Sequence, residues 1–200
     1  MKRVFLALAA VVVFTIPAIA ADWTIIASKL RESIVSIENE DGRCSGFVID
    51  NDRDFVLTAA HCDGKELYVD LSPAKIRAKD VKNDLMVLFV EGIDRPALKL
   101  GNRPKIGDDV ASYGFGWGWE RPLFRLAHVS DDNTIVPQIE GGPWIVVDAD
   151  FIPGQSGGPI VNTKGEVVSI VQRTGGGLGL GVGSDVIAAK MGKYFTGGKG

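Results

Sequence analysis

From residue 34 onward the chain alternates short apolar runs with turn residues, and most of the runs are too short for a helix of ordinary length. Apolar or alternating segments occur at 34–37, 45–49, 55–59, 67–71 and 85–90, then at 110–113, 122–129, 134–139, 144–147, 159–161 and 167–171. Gly, Pro, Asn and Asp sit between them. That pattern predicts an all-β barrel or sandwich and argues against a helical bundle or a βαβ design. Asn162-Thr163-Lys164-Gly165 joins two runs as a hairpin, with Gly165 suited to its left-handed position. The spacing predicts two helices. One covers 24–32 with Thr24 as its cap; the other covers 184–194, opened by Ser184 and Asp185, with Val186, Ile187 and Met191 on one face. Gly175 to Gly183 carries glycine at every other position or more often. Such a stretch is a weak strand unless another backbone must approach it closely, and it reads equally as a surface loop. Gly114-Phe115-Gly116-Trp117-Gly118-Trp119 reads as inter-strand packing, with a substrate-contacting loop as the other reading.

The first twenty residues follow a different pattern. Met1-Lys2-Arg3 is positive, residues 4–16 are almost unbroken apolar sequence, and Ala18-Ile19-Ala20 supplies a small-x-small cleavage signature. The apolar run is too short to cross a bilayer, so 1–20 is expected to be a signal peptide. The remainder, 21–200, is about the length of one all-β domain. Export implies a periplasmic or secreted protein with no stable membrane anchor once the signal is cleaved. Losing Lys2 and Arg3, with no acid in the same segment, moves the net charge from −3 to −5. That mild acidity argues against a nucleic-acid partner, for which a basic face would be expected. Cys44 and Cys62 both lie in the exported part, where an even number suggests a disulfide rather than two buried thiols. Two cysteines and two distant histidines do not make the four convergent ligands of a zinc site, so no metal is expected.

Three segments carry candidate chemistry. Thr58-Ala59-Ala60-His61-Cys62 follows a strand, Asn83-Asp84-Leu85 opens another, and Gly154-Gln155-Ser156-Gly157-Gly158-Pro159 precedes a third. Acyl transfer needs a nucleophile activated by a neighbouring base and a histidine held in one tautomer. It also needs donors for the developing oxyanion. Asp70 and Asp80 also lie between His61 and Ser156, but Asp84 directly opens a buried run, where an acid can be shielded while it holds the histidine. His128 matches no motif and reads as structural or exposed.

In order and in wording these segments resemble the chymotrypsin-like serine proteases. Cys44-Ser45-Gly46-Phe47-Val48-Ile49 resembles the strand whose cysteine is bridged to the one after the histidine. Ser169, in Val168-Ser169-Ile170, resembles the serine beside the triad acid and the substrate backbone. Within that class the bacterial high-temperature-requirement (HtrA) proteases are the closer likeness, through residues 83–88, 98–102, Asp148 and Pro153-Gly154. The resemblance implies two packed six-stranded antiparallel β-barrels, roughly 34–100 and 105–183, with the site between them. It implies catalysis by His61, Asp84 and Ser156, and an oxyanion hole of the Gly154 and Ser156 N–H groups. Substrate would bind beside Ser169, Ile170 and Val171, with protein or peptide substrates and no cofactor. Gln155 stands where the trypsin-like branch has an activating Asp, which implies activity without N-terminal cleavage. The peptide-binding domain of the HtrA family would begin about where this sequence ends, so its gated regulation is not expected. Asp150 aligns either with a pocket-floor acid selecting Lys or Arg, or, when Asp148 takes the HtrA register, with a loop position leaving a small or medium apolar preference. The rival functions are a catalytically inactive binding protein on the same fold and an esterase. The esterase's Gly-x-Ser-x-Gly elbow and Ser-acid-His order are not those found here.

Overall fold

A computed structural model describes residues 21–197; the signal sequence expected over 1–20 lies outside them. The first sheet comprises β1 (Ile34–Asn39), β2 (Gly42–Asp50), β3 (Phe55–Thr58), β4 (Tyr68–Val69), β5 (Ser72–Pro73), β6 (Lys75–Asp80) and β7 (Leu85–Phe89). Its strand order is β5-β4-β1-β2-β3-β7-β6. The second comprises β8 (Asp109–Gly114), β9 (Leu123–Thr134), β10 (Trp144–Val147), β11 (Pro159–Val161), β12 (Val167–Ile170), β13 (Arg173–Gly175) and β14 (Leu178–Val182). Its order is β12-β11-β8-β9-β10-β14-β13.

The fold is mostly β, as the apolar runs predict, but each sheet has seven strands rather than six. The additional members are edge strands. β6 reads Lys-Ile-Arg-Ala-Lys-Asp and β13 reads Arg-Thr-Gly, both largely exposed and without a buried face to signal them. Charged side chains on such edges discourage pairing with another chain, and the same charges hide the strand from a search for apolar runs. The glycine-rich stretch does form a strand, β14, between β10 and β13.

Three apolar clusters divide the interior. Val35, Ile37, Val48, Val56, Met86 and Leu88 fill the first sheet alone, and Val110, Ile145, Val147, Phe151, Ile160 and Val168 fill the second alone. A third is shared, with Phe47, Leu57 and Leu85 meeting Tyr113, Trp144, Ile170 and Val182. Burial of that shared cluster draws the two sheets together.

Helix α1 runs Trp23–Arg31, one residue earlier than predicted, because Asp22 rather than Thr24 is the cap. The Asp22 carboxylate accepts from the N–H groups of Thr24 and Ile25 at 3.0 and 3.3 Å. Helix α2 runs Ser184–Met191 and tightens into a short 3-10 turn at Gly192–Tyr194. Gly183 occupies its cap position with no side-chain bond, and Ser184 Oγ is buried without a partner, so the expected Ser-Asp cap is not made. The aromatic-glycine segment divides: Gly114 ends β8 and Phe115 is buried in the shared cluster, while Trp117 and Trp119 are 63% and 51% exposed on the β8–β9 connection.

Cys44 and Cys62 are joined in a disulfide spanning 18 residues of sequence, with Cα atoms 6.1 Å apart. Replacing both by serine should lower stability by about 3 kcal/mol through the freed loop in the unfolded chain. The check is a urea titration whose midpoint falls while its slope rises as the unfolded chain expands.

Candidate active site

β3 and β7 are antiparallel neighbours with Thr58 opposite Met86, so the end of one lies beside the start of the other. His61 sits on the single 3-10 turn Ala60–Cys62 just past β3, and Asp84 immediately precedes β7. Asp84 adopts φ of 54°, a left-handed conformation that aspartate tolerates better than most residues. The turn is held by Asp84 N–H donating to the Val81 carbonyl, and by Asp80, whose carboxylate accepts from the Asn83 backbone and side chain. Asp84 is buried and faces His61 with both oxygens. Oδ1 accepts the His61 backbone N–H at 2.8 Å, and Oδ2 lies 2.7 Å from Nδ1. The first bond fixes the main chain and the second the ring. Among the described residues the other ring nitrogen has no hydrogen-bond partner, Ser156 included, and the side chain is 43% exposed.

Ser156 comes from the other sheet, on the loop before β11, and Ser45 of β2 docks that loop. Ser45 N–H donates to the Ser156 carbonyl at 2.7 Å, and its hydroxyl donates to the Gly154 carbonyl at 2.8 Å. The same hydroxyl accepts from Phe115 N–H at 2.7 Å, while the Ser45 carbonyl accepts from the Thr58 hydroxyl at 2.8 Å. Cys62 Sγ lies 3.9 Å from the Ser156 carbonyl oxygen, so the disulfide borders the serine loop as well as His61. The two sulfurs and His61 are close enough to suggest a metal site, but disulfide sulfurs lack the thiolate charge of a ligand.

Gly154 has φ of 100°, and a side chain there would press on the Phe115 carbonyl 2.9 Å from its Cβ. Gly157, at φ of 83°, fits so tightly under Ser45 and Thr58 that a Cβ has no room. Its N–H donates to the Val171 carbonyl at 2.7 Å, and Val171 N–H donates to the Gly158 carbonyl at 2.8 Å. Ser169, Ile170 and Val171 therefore flank the loop. The Ser169 hydroxyl, however, donates to the Val182 carbonyl at 2.9 Å, away from the acid.

The buried Gln172 makes the link to the acid instead. Its Nε2 donates to the Asn83 and Asp84 carbonyls at 2.8 and 2.6 Å, and its Oε1 accepts from Val182 N–H at 2.8 Å. Neither Ser45 nor Gln172 was singled out from the sequence. A polar residue ending the apolar run 167–171 was the available signal for Gln172. Gln155 is buried too, with Oε1 accepting the Ile152 N–H at 3.0 Å and Nε2 without a partner among the described residues.

Asp150 stands apart from this cluster. It is exposed, its carboxylate accepts from the Thr174 hydroxyl at 2.5 Å, and its carbonyl meets Arg125. The next residue, Phe151, is buried, and a Cβ on Gly179 would clash with its ring at Cε2. The ring thus occupies the space that the glycine of β14 leaves.

His128 is exposed and faces Asp148, whose Oδ2 is 3.0 Å from Nδ1, with Asp109 3.4 Å from Nε2. The hydrogen bond to Asp148, followed by that carboxylate's charge, raises the His128 pKa above 6.5. Bonds from the His128 backbone and then its ring lower the pKa of Asp148. The histidine's share of the pairing is present below its ordinary value and is lost as pH rises through its folded value. The aspartate's share is present above its ordinary value and is lost as pH falls through its depressed one.

A model of the trypsin-like peptidase domain matches residues 44–170. Probable periplasmic serine endoproteases described as DegP-like are similar in sequence. One from Pseudomonas putida is 37% identical over 149 residues, covering 68% of this chain and 31% of its own. One from Pseudomonas fluorescens is 34% identical over 170 residues, covering 78% and 35%. The chain thus spans about a third of the length of the curated relatives it matches. A serine endoprotease from Yersinia pestis shares the fold at a TM-score of 0.74 and 22% identity, covering 91% of this chain and 70% of that one. An HtrA-type protease solved with a tripeptide gives 0.77 and 19%, covering 89% and 65%.

Two predictions follow from the geometry. Gln172→Ala should cost about 2–3 kcal/mol, because it leaves two buried carbonyls and one buried N–H without partners; chemical denaturation measures it. His128 should titrate by NMR above the ordinary histidine value, and Asp148→Asn should bring the midpoint back down.

Proposed function

The chain belongs to the trypsin-like peptidase domain family, and from that premise we propose that it is an exported serine endopeptidase acting through His61, Asp84 and Ser156. The observation that carries the reading is the double acceptance by Asp84 of the His61 backbone N–H and ring nitrogen. A histidine so held presents its other nitrogen as a base of fixed direction.

His61 takes the proton from the Ser156 hydroxyl as its oxygen attacks the scissile carbonyl. The N–H groups of Gly154 and Ser156 receive the oxyanion, each such donor being worth about 3 kcal/mol in the transition state. The imidazolium, steadied by Asp84, gives its proton to the departing amine and leaves an acyl-enzyme on Ser156. Water then attacks under the same base and releases the acid. The local bonding of Gln155 supports activity without cleavage at the N-terminus.

For the residue before the scissile bond, the exposure of Asp150 and the burial of Phe151 against Gly179 favour small apolar side chains over Lys or Arg. The periplasmic description of the relatives supports action on proteins or peptides outside the cytoplasm.

A serine-directed phosphonate should label the mature protein at Ser156 and leave Ser156→Ala unmodified. With a diverse peptide library, mass spectrometry should find cuts after Ala, Val or other small residues in the wild type alone. Well-folded protein that neither labels nor cuts would instead be an inactive member of the fold, and cuts after Lys or Arg would return Asp150 to the pocket.

A further inference from the structure

Beside Gly154 lies a cleft of ≈ 550 Å³ between the β1–β2 hairpin and the β8–β9 connection, lined by Glu38, Arg43, Trp117, Pro153 and Gly154 among others. Its walls are bonded to one another in a chain that ends at the proposed oxyanion donor. In a trans peptide the C=O and N–H lie in one plane and point in opposite directions, so a donor that holds the carbonyl also aims the N–H. The Pro153 carbonyl accepts from Trp117 N–H at 2.8 Å, and the same plane carries the N–H of Gly154. Glycine visits both signs of φ with similar ease, so little within residue 154 resists a flip of that plane. Its direction depends on what holds Trp117.

Trp117 is poorly anchored by its own segment. It is 63% exposed, lies at φ of 49°, and meets Trp119 edge-on at 6.1 Å. Support comes from the opposite sheet. Arg43 Nη1 donates to the carbonyls of Gly118 and Trp119 at 3.3 and 3.2 Å. Its Nε and Nη2 are both held by Glu38 Oε1, at 3.1 and 2.6 Å, and its guanidinium carbon lies 6.0 Å from the Phe115 ring centroid. A guanidinium is suited to this role because its donors diverge in a fixed plane, two toward the carboxylate and one toward the loop.

We infer that Arg43, oriented by Glu38, is a positioning residue that holds the 117–119 segment and through it aims the Gly154 N–H at the oxyanion. The inference rests on the proposed peptidase reading. It ties the tip of the first sheet to the chemistry of the second, so a disturbance of the β1–β2 hairpin would be felt as a loss of turnover.

The test is steady-state and burst kinetics on a peptide ester whose cleavage by the wild type is abolished by Ser156→Ala. Arg43→Ala should lower kcat by about 10- to 100-fold, part of what a whole lost donor costs, with KM changed by less than about twofold. Low-millimolar guanidinium should restore part of kcat to Arg43→Ala and add nothing to the wild type. Arg43→Lys, which keeps the charge without the fork, and Glu38→Gln, which keeps the shape without the carboxylate, should fall between. A folded Arg43→Ala protein with wild-type kcat overturns the inference while leaving the peptidase reading intact. So does a loss of rate that follows the unfolded fraction alone, without rescue. If Arg43→Ala does not fold, wild-type kcat in both milder variants overturns it equally. Absence of Ser156-dependent turnover in the wild type removes the peptidase reading and the inference with it.

Discussion

The site depends first on one backbone hydrogen bond, from Ser45 N–H in the first sheet to the Ser156 carbonyl in the loop of the second. Burying the shared cluster of Phe47, Leu57, Tyr113 and Trp144 draws the sheets together, but that force has no direction. Direction comes from Ser45, which is fully buried and uses its N–H, its carbonyl and both roles of its hydroxyl across the junction. In so dry a place each bond is strong and each loss is costly, so the register of the two sheets is narrowly defined. Gly157 is the counterpart of that closeness, since a side chain there would push β2 away from the serine loop.

Gln172 repeats the arrangement on the far side of the site, reaching from the second sheet to the Asn83 and Asp84 carbonyls. His61 and Asp84 thus belong to one sheet and Ser156 to the other, with a buried polar side chain bridging the halves on either side. The disulfide adds a third restraint by tying β2 to the turn that carries His61. These restraints converge on the half-exposed imidazole of His61.

The parts legible in the sequence are those whose cause is local. Apolar runs give the buried strands, and the residues around His61, Asp84 and Ser156 are short contiguous signals. The two other acids between His61 and Ser156 have partners of their own. Asp70 accepts from Ser36 and pairs with Arg95, while Asp80 shapes the turn before Asp84. The edge strands β6 and β13 escaped notice because an exposed edge has no apolar face to display. Ser45, Gln172 and Arg43 escaped it for another reason. Each acts on residues far away in the chain, and nothing in a single sequence says which distant carbonyl a serine, glutamine or arginine will meet.

The exposure of Asp150 has a local cause in the burial pattern around it. Residues 148–151 run Asp-Ala-Asp-Phe and are exposed, buried, exposed and buried in turn. In an extended segment successive side chains point to opposite sides, so Asp148 and Asp150 must share a face. If both faced inward, two carboxylates would be buried and a phenylalanine left in water, an arrangement that desolvation opposes twice over. The same alternation therefore turns both acids outward and sends Phe151 into the core against Gly179. The period of two thus makes the exposure of Asp150 and the burial of Phe151 a single choice.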